Sequence, residues 1–404
     1  MAAIRRLRAS LEVSVTDLPR LDPDSASLAE LGAARERSWV AISDRGFEVL
    51  RYAEGSALLR DRRFQKGGSF RWRLDRLGID DGPVRASWNR MLVTNEGDER
   101  THLRLPLSRL LGVRRTGGLG ETTREIVSGV LEEAPVTGEI DFMEHFAWKI
   151  APRVYCRLFS APLEEAPTAA RLSDSTLSPI LTMDRSRRQE SIDAYLESLD
   201  FVRRHIDRRR GDLRDDFTSA LIREQEQGNI TETELVEIGI SLLQASIDNT
   251  AHQIGLTLGT LLEDRARWQR LVSEPALIPG AIEEVIRLRP RFGTIFRLAL
   301  DDLELNGLPV AAGTAVFVSV RAGQRDPRVF SDPDSFDPQR EPVRQLMFGN
   351  GPYSCLGQHL ARLEIQDLLA AMVERYPDAH LSTPWSARDY SAITEVTSLR
   401  GALR

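Results

Sequence analysis

The sequence predicts a mainly α-helical chain with small β-sheets, which places it in the α+β fold class. Apolar residues recur with helical periodicity over most of the chain up to about residue 290. From Thr294 the apolar pattern changes to a period of two, which is typical of strands. Between Asp326 and the glycine-rich stretch near the C-terminus, repeated prolines disfavour both helices and strands.

Composition favours one large domain. With 404 residues and 41% hydrophobic content the chain can bury a large core. We expect a single domain over residues 1–404, with β-rich parts mainly at 30–60 and 294–320. The net charge of −6 argues against nucleic acid as a partner. Two cysteines, Cys156 and Cys355, do not make a disulfide framework, so we expect a reducing, cytoplasmic location.

No segment is expected to enter a membrane. The basic run at residues 4–8 has the charge of a signal-peptide n-region, but Ser, Glu and Thr interrupt residues 9–17, so no apolar h-region follows. The most apolar uncharged stretch, 305–320, is too short to span a bilayer and contains Pro309 and Gly313. The sequence therefore predicts a soluble protein.

One helical segment stands out by its length. Shorter periodic segments cover 221–227 and 279–288. In the region between them, Thr231 and Glu234 form a capping-box start, and apolar residues continue to Leu262 without a proline. An uninterrupted helix over 232–262 would be about 45 Å long. Such a helix could cross a whole domain.

The β-rich part is predicted to contain a hairpin. Ile295, Arg297 and Ala299 alternate along a strand. Asn306-Gly307, which follows another short apolar alternation, is the strongest short hairpin signal. The proline-containing stretch 332–338 then predicts an irregular but ordered segment, here called the meander.

A turn-rich stretch near the C-terminus carries the most specific pattern. Glycines at 349, 351 and 357 are expected to take positive φ, so that the backbone approaches a flat ligand and the Cys355 sulfur is aimed at it. Taken alone, Cys355 would more simply be a buried structural cysteine. The full spacing is Phe348-x-x-Gly351-x-x-x-Cys355-x-Gly357, followed by Leu360, Ala361, Arg362 and Glu364.

This pattern resembles the haem-ligand loop of the cytochrome P450 family. The resemblance implies the cytochrome P450 fold, with a long central helix over a haem. It also implies heme b (iron protoporphyrin IX) with the Cys355 thiolate as axial ligand. Landmarks of the family run from about residue 90 to about residue 375. The resemblance assigns further residues of this loop, and one residue of the long helix, to cofactor binding. They are Phe348, Gly349, Tyr353 and Gly357 of the loop and Ala245 of the helix.

Three charged residues match a second family signature. Glu284 and Arg287 are three apart on a predicted helix, so they face the same way. In an arbitrary chain such a pair is usually solvated and contributes little. The resemblance instead implies that Glu284, Arg287 and Arg340 form a buried cluster that locks the meander, in a structural role.

Two further residues are implied to contact haem propionates. Arg297 lies on the strand where the family places such an arginine, and His102 matches a histidine used in the same way. A solvent-exposed strand arginine is the alternative for Arg297. Two positions depart from the family pattern, because Pro106 replaces an arginine and Tyr353 replaces a histidine. We expect anchoring to depend on Arg297, His102 and the Tyr353 hydroxyl.

The long helix carries a third signature and its most informative departure. The stretch from Ala245 to Thr250 aligns with the segment in which the family uses an acid and a threonine to relay protons, so the resemblance makes Asp248, Asn249 and Thr250 the candidate catalytic residues. Asp248 holds the place of the acid, but Asn249 replaces the threonine, and an amide has no hydroxyl to pass a proton through. On an unbroken helix Thr250 is rotated by about 100° from Asn249, and we expect no bulge that would let it substitute. The alternative is that Asp248 and Asn249 only break the helix inside a polar pocket.

The resemblance implies a haem-thiolate monooxygenase or oxidase that activates dioxygen to oxidise a small organic molecule. A tailoring step on a secondary metabolite is the main expectation, either hydroxylation or oxidative coupling. Electrons would come from a ferredoxin and its reductase. Two alternatives remain open: an oxidant driven by hydrogen peroxide, and a haem-binding protein without turnover.

Partner and substrate regions are also implied by family topology. Arg104, Arg109, Arg114 and Arg115 could steer an acidic ferredoxin, or form an ordinary solvated helix face. The segments 64–92, 242–249 and 292–295 are candidates for contact with the substrate. Trp72 and Trp88 could line its pocket or belong to the core.

Overall fold

The computed structural model describes residues 18–23, 25–112, 119–390 and 392–404. The basic run at 4–8, the stretch 9–17, and both Arg114 and Arg115 lie outside these residues. The described chain forms two units. The first takes the described parts of 1–69, 283–355 and 389–395, and the second takes those of 70–282, 356–388 and 396–404.

Helices account for most of the secondary structure, in agreement with the predicted fold class. The α-helices are α1 (Leu28–Arg37), α2 (Tyr52–Arg60), α3 (Gly68–Leu77), α4 (Gly82–Arg90), α5 (Gly97–Leu110), α6 (Gly120–Glu133), α7 (Trp148–Leu158), α8 (Ala166–Thr182), α9 (Arg188–Arg210), α10 (Phe217–Glu226), α11 (Glu232–Ser246), α12 (Asp248–Leu262), α13 (Arg265–Ser273), α14 (Ile278–Leu288), α15 (Val320–Gly323) and α16 (Gln358–Arg375).

The strands are short. They are β1 (Val40–Ile42), β2 (Phe47–Val49), β3 (Phe64–Gln65), β4 (Ile140–Asp141), β5 (Thr294–Ala299), β6 (Leu303–Leu305), β7 (Leu308–Val310), β8 (Ala315–Ser319), β9 (His380–Leu381), β10 (Ser386–Asp389), β11 (Thr394–Ser398) and β12 (Arg400–Ala402).

The first unit is built around a five-stranded sheet. Its strand order is β1-β2-β8-β5-β3, and β2 pairs with β8 in parallel while the other neighbours pair antiparallel. Phe47 and Val49 of β2 pack with Val316 and Val318 of β8 in the core. Strands β6 and β7 form the predicted hairpin, with positive φ at Asn306 and Gly307. The sheet fixes the strand that carries Arg297.

The second unit is mainly helical. Helices α8, α9 and α11 pack against one another, and α8 also packs against α12. A small antiparallel sheet, β4-β12-β9, lies in the same unit. Every residue of α12 except Asn249 is buried, so this helix forms the centre of the unit's core.

The expectation of one unbroken helix over 232–262 is wrong, because the helix is interrupted at Ile247. The predicted capping box at Thr231 and Glu234 is present at the start of α11. At the other end, Ser246 Oγ donates to the Leu242 carbonyl at 2.7 Å and Asn249 Nδ2 donates to the Ala245 carbonyl at 3.1 Å. Side chains that donate to carbonyls one turn earlier compete with the backbone ladder and bend helices. These polar residues therefore explain the break.

None of the helices among the described residues is long and apolar enough to cross a membrane.

Candidate active site

The segment from Phe348 to Cys355, here called the cysteine loop, is closed by its own backbone. The Cys355 amide donates to the Phe348 carbonyl at 2.8 Å, and the Ser354 amide donates to the Gly351 carbonyl at 3.1 Å. The Asn350 side chain accepts from the Gly351 amide at 2.9 Å. The loop thus holds the backbone of Cys355 in one position.

Two of the three glycines take the backbone conformation that the sequence analysis expected. Gly349 has φ +68°, and a Cβ there would lie 3.2 Å from the Tyr353 carbonyl oxygen. Gly351 has φ +65°, with a Cβ 3.0 Å from the Arg60 Cα. The expectation is wrong for Gly357, whose φ is −86° because it caps the N-terminus of α16. Apart from its chain neighbours, no atom of the described residues would lie within 4 Å of a Cβ at Gly357.

The two cysteines differ sharply in their surroundings. Cys156 is fully buried in α7, and burial together with the nearby Glu165 and Glu164 carboxylates raises its pKa to about 12. Such a thiol stays protonated and inert near neutral pH. Cys355 is exposed, which is unusual for a cysteine that forms no disulfide. Of the two, Cys355 is the sulfur that a ligand can reach.

Arg297 and Tyr353 lie together. The Arg297 side chain is only 1% exposed, and its guanidinium lies 4.8 Å from the centre of the Tyr353 ring. Its Nη1 donates to the Phe296 carbonyl at 2.9 Å. A buried guanidinium beside a phenol can pair with the carboxylate of a bound group. The alternative of a solvated strand arginine does not fit this burial.

The structure also brings Glu284, Arg287 and Arg340 together in a cluster. Arg287 Nε lies 2.7 Å from Glu284 Oε1, and Arg340 Nε lies 3.1 Å from the same oxygen. Arg287 also donates to carbonyls of the meander, at Pro333 and Ser335. Both members of the Glu284–Arg287 pair are buried. The cluster therefore ties α14 to the meander by charge-assisted hydrogen bonds.

The break between α11 and α12 exposes one short face. Ala245 is exposed and Asn249, one turn later, is only half-buried, whereas Asp248 and Thr250 are buried. Asn249 Oδ1 is shielded from solvent and accepts no hydrogen bond from the described residues. An amide oxygen in that state is suited to a water or to a bound molecule. Asn249 rather than Thr250 is the side chain that this face offers.

Asp248 has two neighbours that the sequence analysis missed. His252 lies one turn further along α12, with Nε2 3.7 Å from Asp248 Oδ1. Asp174 lies on α8, and burial together with the Asp248 carboxylate raises the pKa of Asp174. The i,i+4 spacing of Asp248 and His252 could have revealed the first neighbour. Sequence offers no signal for the second, because it lies on another helix.

His102 makes a different contact from the one expected. Its Nε2 lies 3.2 Å from Glu234 Oε1, at the start of α11. Nearly half of the His102 side chain is exposed. Pro106, which stands where the family often has an arginine, is buried inside α5. A role for His102 at a propionate stays a prediction.

The candidate substrate segments include one buried network. Trp88 is buried and stacks on Phe70, while Trp72 is 39% exposed. Next to Trp88, Ser87 Oγ donates to Glu237 of α11 at 2.9 Å and accepts from the Tyr195 hydroxyl of α9 at 2.6 Å. Trp88 therefore belongs to the core, and hydrogen bonds join α4, α9 and α11.

These observations fit a thiolate-ligated haem. The donor set contains an exposed thiol on a loop with two glycines of positive φ, and a buried guanidinium beside a tyrosine. Thiolate sulfur is a known axial ligand of haem iron, and guanidinium groups bind carboxylates. Among the described residues no cluster of three or more His, Cys, Asp and Glu side chains could hold a metal ion directly.

A protein-family model matches this chain. The family model described as Cytochrome P450 matches residues 154–377.

Relatives and solved structures are similar to this chain over most of its length. Luteothin monooxygenase from Streptomyces thioluteus is 33% identical over 91% of this chain and 91% of that protein. The 20-oxo-5-O-mycaminosyltylactone 23-monooxygenase from Streptomyces fradiae is 31% identical over 76% of this chain and 71% of that protein. A P450 enzyme for C–S bond formation in chuangxinmycin biosynthesis has a TM-score of 0.84 at 27% identity, covering 96% of this chain and 98% of that one.

Proposed function

This chain belongs to the cytochrome P450 family and is a monooxygenase, and we propose that Cys355 is the thiolate ligand of its haem. The observation that carries the proposal is the exposed Cys355 thiol, held on a hydrogen-bonded loop with positive φ at Gly349 and Gly351. Arg297 and the Tyr353 hydroxyl would hold a propionate of the cofactor. When bound, the thiolate-ligated haem supplies reductive activation of dioxygen.

We propose that side chains around the break between α11 and α12 hold water and protons during the reaction. Asp248 is the buried carboxyl to which we assign the general acid-base role. Asn249 can hold a water, because its amide donates and accepts hydrogen bonds. Thr250, which is buried in α12, is not assigned a proton-transfer step. A relay without a threonine hydroxyl would use ordered water or a group on the substrate.

The proposed substrate is a secondary metabolite. Luteothin and a mycaminosyl tylactone appear in the names of two relatives, and a third similar protein forms a C–S bond in chuangxinmycin biosynthesis. These names support oxidative tailoring, and they leave hydroxylation and coupling both open. We propose a ferredoxin and its reductase as the electron donors, which would place the reaction in the cytoplasm.

The test is reconstitution with purified components. The holoenzyme would be given NADPH, a ferredoxin, ferredoxin reductase and a panel of polyketide and macrolide compounds, and products would be followed by mass spectrometry. Product that requires all three protein components supports the proposal. Product formed with hydrogen peroxide alone would favour the peroxide-driven alternative. Binding of panel compounds without any product under either condition would favour a protein without turnover.

Asp248→Asn tests the assigned proton step in the same assay. The expected result is a loss of product formation of about 10²-fold, the usual contribution of a positioned acid or base. Binding of the same compound, followed by the haem spectrum, should change little. A variant as active as the parent would contradict the role given to Asp248.

A further inference from the structure

His252 is a buried histidine beside the buried Asp248. The two residues are four apart on α12, so they share one face of the helix. Asp248 is fully buried and His252 is 6% exposed. The 3.7 Å between His252 Nε2 and Asp248 Oδ1 is longer than a direct hydrogen bond. Across that gap the two groups interact through charge and dipole, and this interaction is strong in a buried environment.

The backbone decides which ring nitrogen of His252 carries a proton. The Val396 amide donates to His252 Nδ1 at 3.2 Å. A ring nitrogen that accepts a hydrogen bond carries no proton, so the imidazole is neutral with its proton on Nε2. That Nε2–H is on the nitrogen nearer to Asp248. Trp148 meets the ring edge-on, with centroids 5.5 Å apart, and limits its rotation.

A second acid, Asp174 on α8, acts against the Asp248 carboxylate. Burial and the Asp248 carboxylate together raise the pKa of Asp174, so the two acids are close enough to repel each other. Asp174 is partly exposed and lies 3.5 Å from Arg187. A buried carboxylate near a second acid requires compensating donors or dipoles. The Nε2–H of His252 supplies one such dipole, and the N-terminus of α12, where Asp248 is the first residue, supplies another.

We propose that His252 is a positioning residue for Asp248, which presents its Nε2–H to the carboxyl group and fixes its orientation in a chain that has Asn249 at the relay position. His252 acts through Asp248 and does not itself touch the reacting atoms. This inference rests on the proposed function for its consequence in catalysis. The histidine tautomer and its coupling to Asp248 can be measured without any turnover.

The first experiment is nitrogen NMR of the holoenzyme labelled with ¹⁵N-histidine, in the diamagnetic reduced carbon monoxide form. The chain has six histidines, and the His252 signals are identified by their loss in His252→Gln. We expect a neutral ring with the proton on Nε2, and a shift of the Nε2 signal in Asp248→Asn. His205, a buried histidine 3.2 Å from Glu165, is the control and should not shift.

A proton on Nδ1, or an Nε2 signal that is unchanged in Asp248→Asn, would overturn the proposal. Neither result depends on which residue ligates the haem, so failure here is distinguishable from failure of the proposed function.

The second experiment uses bound carbon monoxide as the probe. Its stretching frequency, measured by infrared spectroscopy, reports the electric field around the bound carbon monoxide. We expect a shift in His252→Leu, which keeps an apolar side chain but removes both ring nitrogens. In His252→Gln the shift should be largely absent, since the amide can accept from Val396 and donate towards Asp248.

A double variant separates positioning from a merely structural effect. In an Asp248→Asn background, His252→Leu should no longer change the frequency, because the group through which His252 acts has been replaced. An equal change with and without Asp248, or equal effects of leucine and glutamine, would overturn the proposal. Product formed per NADPH should follow the same order, with glutamine near the parent and leucine about tenfold lower.

Discussion

A single buried side chain can stabilise this fold when its charge contacts several partners. Arg287 is bonded to Glu284 and to carbonyl groups of the meander at Pro333 and Ser335. Truncating one member of such a group leaves the other charge buried and uncompensated. We expect Arg287→Ala to lower the free energy of unfolding by about 3–5 kcal/mol. Chemical denaturation of the holoenzyme measures this change.

The matched control is an ion pair on the surface. Arg171 pairs with Glu197, and about half of each side chain is exposed. Arg171→Ala should cost at most about 1 kcal/mol, because solvent screens the pair. Equal losses in the two variants would contradict a special role for the buried cluster.

We expect Glu364 on α16 to make the free energy of unfolding depend on pH. Burial, and secondarily the Asp367 carboxyl, raise its pKa well above the ordinary value of 4.5. Above that value the unfolded chain releases the proton while the folded chain keeps it. Rising pH therefore favours the unfolded chain, by up to about 1.4 kcal/mol per pH unit, until the folded-state pKa is reached.

Glu364→Gln removes this titration. Relative to the parent, the variant should gain stability as the pH is raised from about 5 to about 8, with the sign given by proton linkage. Urea unfolding at both pH values measures the difference. A difference that stays constant with pH would show that Glu364 titrates alike in the folded and unfolded chain.

The individual residues that belong to sequence motifs were predicted from the sequence, but their neighbours in space were not. The spacing around Cys355 and the Glu284–Arg287 pair are local, so they can be seen in the printed chain. Asp174 could not be found, because only the packing of α8 against α12 brings it near Asp248. The contact of His102 with Glu234 likewise depends on how α5 meets α11.

At the scale of elements, the break at Ile247 shows where apolar periodicity fails as a guide. The apolar positions continue through the break, so the pattern predicts one helix over 232–262. Two side-chain hydrogen bonds, from Ser246 and Asn249, decide the outcome instead. The Asn306-Gly307 hairpin was predictable because its turn residues determine the backbone locally.

Helix α12 packs closely against Trp385 at Gly259. A Cβ at Gly259 would lie 2.6 Å from Cδ2 of Trp385, which is a rigid ring. Gly259→Ala should therefore destabilise the protein by about 1–3 kcal/mol through overpacking. Thermal or chemical unfolding would measure the loss.

Gly129 in the middle of α6 is the control glycine. Apart from the backbone of α6 itself, the part of the chain that the structure describes places no atom within 4 Å of a Cβ there. Gly129→Ala should stabilise the protein by about 0.5–1 kcal/mol, because alanine favours the helix. If both variants changed stability in the same direction, the close approach of Trp385 to α12 would not be the determining factor.

At the scale of the whole molecule, the fold class and the family were accessible from sequence because the signatures occur in a fixed order. The long helical segment, Glu284–Arg287, the meander and the cysteine loop follow one another along the chain. The fold and the comparisons agree with that order. The substrate was not accessible, since one fold serves many substrates through changes in a few segments.

Cys355 is proposed as the thiolate ligand of the haem. The most direct measurement is the carbon monoxide difference spectrum of the reduced, purified protein, recorded for the parent and for Cys355→Ser. We predict that the parent shows a Soret band at the wavelength that gives the family its name, and that the variant loses it. Cys156→Ser, which removes the buried thiol, should keep the band. A parent spectrum typical of histidine-ligated haem, or a band that persists in Cys355→Ser, would show that Cys355 is not the ligand.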